Sequence, residues 1–166
     1  MLGQISGKVQ NLINSGDRPA GHVVEGALIC AGALLLAALA ASRRPARPVA
    51  PNGPFGVLWR PAALVLALSG LRIWNAPESR ERTRALELWT AVQALGVAAR
   101  LINPRRRSAQ FVTAAAALGA GVGYATAAKQ VDSNAAAMVS PYLGWTNVAG
   151  LLAHRASAPV ETPTIH

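Results

Sequence analysis

The stretch from Ser140 to Leu152 reads SPYLGWTNVAGLL, and its reading decides the fold. It lies in an apolar run long enough to cross a bilayer, yet a proline, a tyrosine, a tryptophan and an asparagine fall within a few turns. Pro141 removes one backbone donor from a helix, which leaves the carbonyl of Ala137 without its partner and bends the axis. Tyr142 and Trp145 are three residues apart, so on a helix they share a face. Both rings carry a polar handle, a hydroxyl and an indole N–H, that needs a partner when buried. Such a face points inward, towards a cavity or a neighbouring helix; the alternative is an aromatic belt at a membrane interface.

Working outward, the sequence divides into five apolar segments: Val23–Ala41, Pro54–Trp74, Ala85–Asn103, Ala109–Lys129 and Ala136–His154. Each is close to the length that crosses a bilayer as a helix, about 20 residues. Pro, Arg, Ser, Asn and Asp occupy the breaks, as loops require. The apolar residues of the first and fourth segments go all round the helix, where a soluble surface helix would keep a polar face. The expectation is therefore an all-α integral membrane bundle of five transmembrane helices spanning residues 23–154. Residues 1–22 form a leader and 155–166 a flexible tail. In the leader, Leu2, Ile5, Val9 and Leu12 fall at helical spacing, which fits a short interfacial helix and fits a loose tail equally. Ala38-Leu39-Ala40 resembles a signal-peptidase site, but an uncleaved anchor suits this layout better.

The chain is 52% hydrophobic and 14% charged, with a net charge of +9, a pI of about 11.5 and a mean hydropathy of +0.29. A basic pI can mark a nucleic-acid binder. Here the arginines bracket the apolar runs, as in Arg43, Arg44 and Arg47 or Arg105, Arg106 and Arg107, which is how a multi-pass membrane protein carries positive charge. The partner indicated is the lipid bilayer, not nucleic acid. With five crossings, seven Lys and Arg residues lie on the side of the N-terminus and nine on the opposite side. That bias places the N-terminus outside and the C-terminus inside.

Few residues offer chemistry. Cys30 is the single cysteine, so it forms no intrachain disulfide, and in an apolar run it reads as a small packing residue. Phe55 and Trp59 make a second aromatic pair at (i, i+4), suited to a cavity or to interfacial anchoring. Arg60 beside them can snorkel to lipid phosphate or meet an anionic ligand group. Gln93, central in the third segment, calls for a hydrogen bond to another helix. Gly119 and Gly123 form GxxxG, which permits close helix approach within the bundle or in a dimer. His22, His154 and His166 are spread between two ends and a tail, which gives no metal or bis-histidine haem site. No acid pair, Ser/His/Asp set or P-loop occurs, so no catalytic residue and no required cofactor is assigned.

Taken together these residues resemble the TspO/MBR family, the tryptophan-rich sensory proteins that include the mitochondrial translocator protein. Phe55-Gly56-Val57-Leu58-Trp59 keeps F, G and W of the family's second-helix FGPVW, and Pro141-Tyr142-Leu143-Gly144-Trp145 matches its fifth-helix PYLxW in full. Leu88-Trp89-Thr90 and Gln93 are similar to the opening of its third helix. The resemblance covers Pro51 to about His154, with the first segment fitting by position. Three places depart from the pattern. Gly96-Val97-Ala98-Ala99 stands where the family has an asparagine followed by tryptophans, Leu152-Ala153 replaces a Leu-Asn pair, and Pro51-Asn52-Gly53 replaces a Pro-x-Trp of the first loop.

The resemblance implies a five-helix bundle, often a homodimer, with a cavity open towards the first loop. It implies a ligand-binding sensor or carrier for tetrapyrroles (porphyrin or haem) or other apolar molecules such as sterols. Phe55, Trp59, Arg60, Gln93, Tyr142 and Trp145 would be the ligand-binding set. Arg60, or one of Arg43, Arg44 and Arg47, could pair with propionates. Some bacterial members degrade protoporphyrin in light and oxygen through cavity tryptophans of the second and fifth helices, positions matched by Trp59 and Trp145. The alternatives are therefore light-dependent porphyrin breakdown and a structural membrane protein with a closed cavity.

Overall fold

The computed structural model describes residues 2–16, 18–42, 54–102 and 107–156. Among them are six helices and no strand: α1 (Leu2–Ile13), α2 (Ala20–Ser42), α3 (Pro54–Asn75), α4 (Arg80–Ile102), α5 (Arg107–Val131) and α6 (Ser133–Ala156). The five apolar segments coincide with α2 to α6, each helix running further at one or both ends, except that Asn103 at the close of the third segment lies outside the described residues. The extra turns come from local chemistry. Pro19 precedes α2 and its carbonyl accepts from His22 and Val23 N–H. Ser79 caps α4 by accepting from Arg82 N–H at 3.0 Å, an N-cap bond that the apolar pattern does not register. The leader, open between helix and tail, is a helix from Leu2 to Ile13.

One residue separates α5 from α6. Asp132 ends α5, and its Oδ1 accepts from the backbone N–H groups of Asn134 and Ala135 at 2.9 and 3.2 Å. It is thus the N-cap of α6, and the chain folds straight back, so α5 and α6 pack along one another. Besides this hairpin, α5 packs on α4, α6 on α3, and α2 on both α3 and α4, while α1 meets α3.

The core is built from small residues. Of the seventeen buried apolar residues among those described, eight are alanines, which lets helix axes approach closely. That suits a bundle in lipid, where association rests on packing rather than on expulsion of water. On α4 the buried Ala85, Trp89 and Val92 fall at i, i+4 and i+7, and on α6 Ala135, Val139 and Tyr142 do the same. Gly70 lets α4 come close, since an added Cβ there would meet the Trp89 indole. The Trp89 Nε1–H donates to the Leu66 carbonyl at 3.0 Å. Buried Ser69 donates to the Ala135 carbonyl and shares a second bond with the Tyr124 hydroxyl, both at 2.7 Å. The Trp89 indole and the Ser69 and Tyr124 hydroxyls are therefore paired across helices.

Large apolar side chains also face outward: Val24, Leu28, Ile29, Leu35, Leu36 and Leu39 on α2, Leu64 on α3, Leu101 on α4, and Val112 and Val122 on α5. Exposed hydroxyls on the same surface bond back to their own helix, Thr90 to the Leu86 carbonyl and Thr126 to the Gly123 carbonyl, which satisfies them without water. Among the described residues, one helix is long and apolar enough to cross a membrane, Ala20–Ala40, and only 17% of its apolar window is buried inside the protein. A soluble core helix would be mostly buried. The other helices fall short because each carries polar or charged side chains along with its apolar ones, as α4 does with Arg80, Glu81, Arg82, Arg84 and Glu87 in its first turns.

Candidate functional site

Four helices border a small, partly open cavity. Leu34 and Ala37 of α2, Ala63 and Leu66 of α3, Gln93, Gly96 and Val97 of α4, and Tyr142 of α6 line a space of about 30 Å³. Each helix contributes through its own periodicity. On α2 Cys30, Leu34 and Ala37 follow at i, i+4 and i+7 and form the inward edge of an otherwise outward-facing helix. On α4 Gln93 and Val97 are one turn apart, with Gly96 between them. Tyr142 is 7% exposed, so the aromatic face of the opening stretch does turn inward at this position. Two of the lining residues, Gln93 and Tyr142, carry polar groups; every other lining side chain is aliphatic or absent.

The volume limits what this form of the cavity can hold. A single water needs about 10–15 Å³ of such space, and pockets for organic ligands run to roughly 300–1,000 Å³. A macrocycle does not fit until the helices move apart. Gly96 and Val97, the first two residues of the stretch that departs from the family pattern, lie in the wall itself. An added Cβ on Gly96 would meet nothing of the chain within 4 Å, so this part of the wall is not tightly covered.

Of the residues that the sequence singles out, Gln93 and Tyr142 meet in this wall. Phe55, Trp59 and Arg60 belong to α3 and Trp145 to α6, but their side chains lie outside the described residues. Gly119 and Gly123 part company. A Cβ on Gly123 would touch Leu88 of α4 at 3.6 Å, whereas Gly119 is exposed with nothing of the chain within 4 Å. The tightest glycine contact between α5 and α6 is instead at Gly121, where a Cβ would come 2.6 Å from Leu143 Cδ2. Leu34, Ala37, Ala63 and Val97 were not foreseen as lining residues, because aliphatic walls leave no signal beyond helical period.

A second cluster, which the motifs gave no hint of, closes the opposite end of the bundle. Arg72 near the end of α3 pairs with Asp132, Nη2 to Oδ2 at 2.7 Å and Nε to Oδ2 at 2.9 Å. Its Nη1 donates to the carbonyls of Asn11 and Leu12, at 2.6 and 2.8 Å, and the Asn75 amide donates to the Ile13 carbonyl at 2.8 Å. Ser15 N–H donates to the Gln10 carbonyl at 3.0 Å, with Asn14 at φ 52°, the six-to-one bond of a Schellman ending. All four terminal carbonyls of α1 are thus satisfied, three of them by side chains of α3. The end of α3 is treated likewise. Arg82 and His22 converge on the Trp74 carbonyl, at 2.8 and 3.1 Å, and Arg18 donates to the Asn75 carbonyl at 2.8 Å. The Trp74 indole donates back to the His22 carbonyl at 3.0 Å and stacks on the His22 ring, with Arg82 over its face.

Among the described residues no group of three or more His, Cys, Asp or Glu side chains is placed to hold a metal ion. No curated protein and no solved structure matches the chain. The TspO/MBR family model matches residues 26–157, from α2 through the end of α6 and so through every helix that lines the cavity. On that match, which takes in the first membrane segment as well as the two aromatic motifs, the chain belongs to the TspO/MBR family of membrane proteins.

Proposed function

We propose that this protein is a multi-pass membrane sensor or carrier that takes an apolar, flat ligand between α2, α3, α4 and α6. The observation that carries the reading is the cavity among these helices, lined by aliphatic residues together with Gln93 and Tyr142. A mostly aliphatic wall with few polar residues suits a ligand that is held chiefly by shape. In this reading α2 to α6 are the five crossings, with the N-terminus outside and the C-terminus inside. A tetrapyrrole, porphyrin or haem, is the first ligand to try and a sterol the second. Trp59, Phe55 and Trp145 would supply stacking surfaces and Arg60 a partner for a carboxylate. Gly119, with exposed Val112 and Val122 on the same side of α5, would form the contact in a homodimer.

A second reading has its own observation. A space of about 30 Å³ bounded by Gly96 and Val97 favours a structural membrane protein whose ligand cavity has closed. One experiment separates the two: protoporphyrin titration of the detergent-solubilised protein, following tryptophan quenching, with Trp59→Phe/Trp145→Phe alongside. Saturable quenching at micromolar ligand, weakened in the double variant, supports the ligand-binding reading. Product analysis of that complex under light then tests breakdown of the macrocycle. Flat or unsaturable quenching in both proteins leaves the closed-cavity reading.

A further inference from the structure

We infer that α1 lies in the plane of the membrane surface, as an interfacial anchor whose occupied face is Ile5, Val9 and Leu12. The helix is attached to the bundle by its last turn. Its terminal carbonyls are taken by Arg72 and Asn75, and Ile13 packs against the core. The rest of the helix stands clear, and Ile5, Val9 and Leu12 are 55%, 48% and 46% exposed. They lie at i, i+4 and i+7, one stripe along the helix, with Ser6, Gln10 and Asn11 on the other side and Lys8 at the margin. An apolar stripe opposite a polar face is the pattern of a helix that lies at the headgroup–acyl boundary, buried by about 5–10 Å.

Two features point to lipid as the occupant. The first is depth. Arg72 and Asn75 hold α1 at the end of α3, beside the start of α2, and the apolar span of α2 begins at Ala20, seven residues after α1 ends. The helix is therefore fixed at the level where the hydrocarbon begins. The second is continuity. The outward apolar surface of α2 starts at Val24 and Leu28, so the helix that follows α1 in the chain also presents apolar side chains outward from its first turns. A short connection with a left-handed Asn14 and a left-handed Gly16, φ 52° and 39°, makes the turn between the two helices.

The test uses the full chain in phosphatidylcholine–phosphatidylglycerol vesicles, with Cys30→Ala as background. Val9→Cys and Gln10→Cys each carry an environment-sensitive fluorophore. Nitroxide-bearing lipid should quench the label at position 9 at least two-fold more than that at position 10, and aqueous iodide should show the reverse order. Equal access of iodide to both positions overturns the inference. So does protection of position 9 that lipid nitroxide does not quench and that fades as the protein is diluted in lipid, since the face would then be covered by a second copy. The variant Val9→Asp with the label at Ile5→Cys guards against a label that inserts on its own. The aspartate should cut lipid quenching at position 5 at least two-fold, and unchanged quenching would also overturn the inference.

Discussion

Replacing Arg72 by methionine tests whether the polar end of the bundle is one mechanical unit. The guanidinium makes two contacts to the Asp132 carboxylate, at 2.7 and 2.9 Å, and two to carbonyls of α1. Both side chains of the pair are 8% exposed. Methionine keeps much of the stem's bulk, so the loss is chiefly of charge and hydrogen bonds. Removing one partner of a buried pair costs about 3–5 kcal/mol, because the remaining charge stays uncompensated. At about 2–4 °C per kcal/mol for a chain of this size, the melting temperature should fall by roughly 6–20 °C. Asp132→Asn should be milder, about 1–3 kcal/mol. Asparagine caps a helix as well as aspartate does, and it still offers Arg72 an acceptor. Fluorescence-monitored melting of the solubilised protein reads both, and the double variant completes the cycle. If the pair is coupled, the double variant loses less than the sum of the single losses by at least about 1 kcal/mol. Strictly additive shifts would refute the coupling, and a shift of under about 2 °C for Arg72→Met would refute the buried hub.

Three further outcomes are expected. Gly70→Ala forces a methyl group against the Trp89 indole and should cost about 1–3 kcal/mol, whereas Gly121→Ala meets only the tip of Leu143 and should cost under about 1 kcal/mol; melting of the two variants side by side checks the contrast. Trp89→Phe leaves the Leu66 carbonyl without its indole donor and should cost about 1–3 kcal/mol, measured in the same way. Gly96→Val puts bulk into the cavity wall where nothing of the chain lies within 4 Å of a Cβ. It should leave the melting temperature within about 4 °C of wild type and abolish saturable porphyrin quenching; quenching that persists unchanged would place any porphyrin elsewhere.

What the sequence made legible follows the range of the interactions involved. The five long helices could be read because each is a contiguous run whose period and composition are local. The inward turn of Tyr142 could be read because a hydroxyl on an apolar helix face has few other solutions. Arg72 could not. In the sequence it is one more arginine near the end of an apolar segment, and its partner Asp132 lies 60 residues away. Counting it with the exposed loop charges misses that it is buried and paired. Trp74 and His22 escaped notice for the same reason, since their mutual hydrogen bonds and stacking cross 52 residues. GxxxG was legible as a motif but not as a contact. Whether Gly119 or Gly121 meets the neighbouring helix depends on the rotation of α5 about its axis, which packing against Leu88 and Leu143 decides.

The two clusters divide the bundle unequally, and that division bears on how a ligand could enter. The starts of α2, α4 and α6 and the ends of α3 and α5 are tied together by the Arg72–Asp132 pair, the Trp74–His22 stack and side-chain bonds to terminal carbonyls. The cavity lies away from that end. Leu34 and Ala37 fall in the second half of α2, Ala63 and Leu66 in the first half or centre of α3, and Gln93 to Val97 in the second half of α4. Its walls are aliphatic, and contacts between aliphatic side chains are individually weak and undirected. Among the described residues, separating helices there breaks no ion pair, while separating them at the other end would break the Arg72–Asp132 pair. If the space of about 30 Å³ grows to admit a flat guest, the cheaper motion is a splay about the Arg72 hub, opening on the side of the α2–α3 connection. A ligand that lowered the stability of the hub on binding would contradict that asymmetry, and one that widened only the distance between Ala37 and Val97 would agree with it.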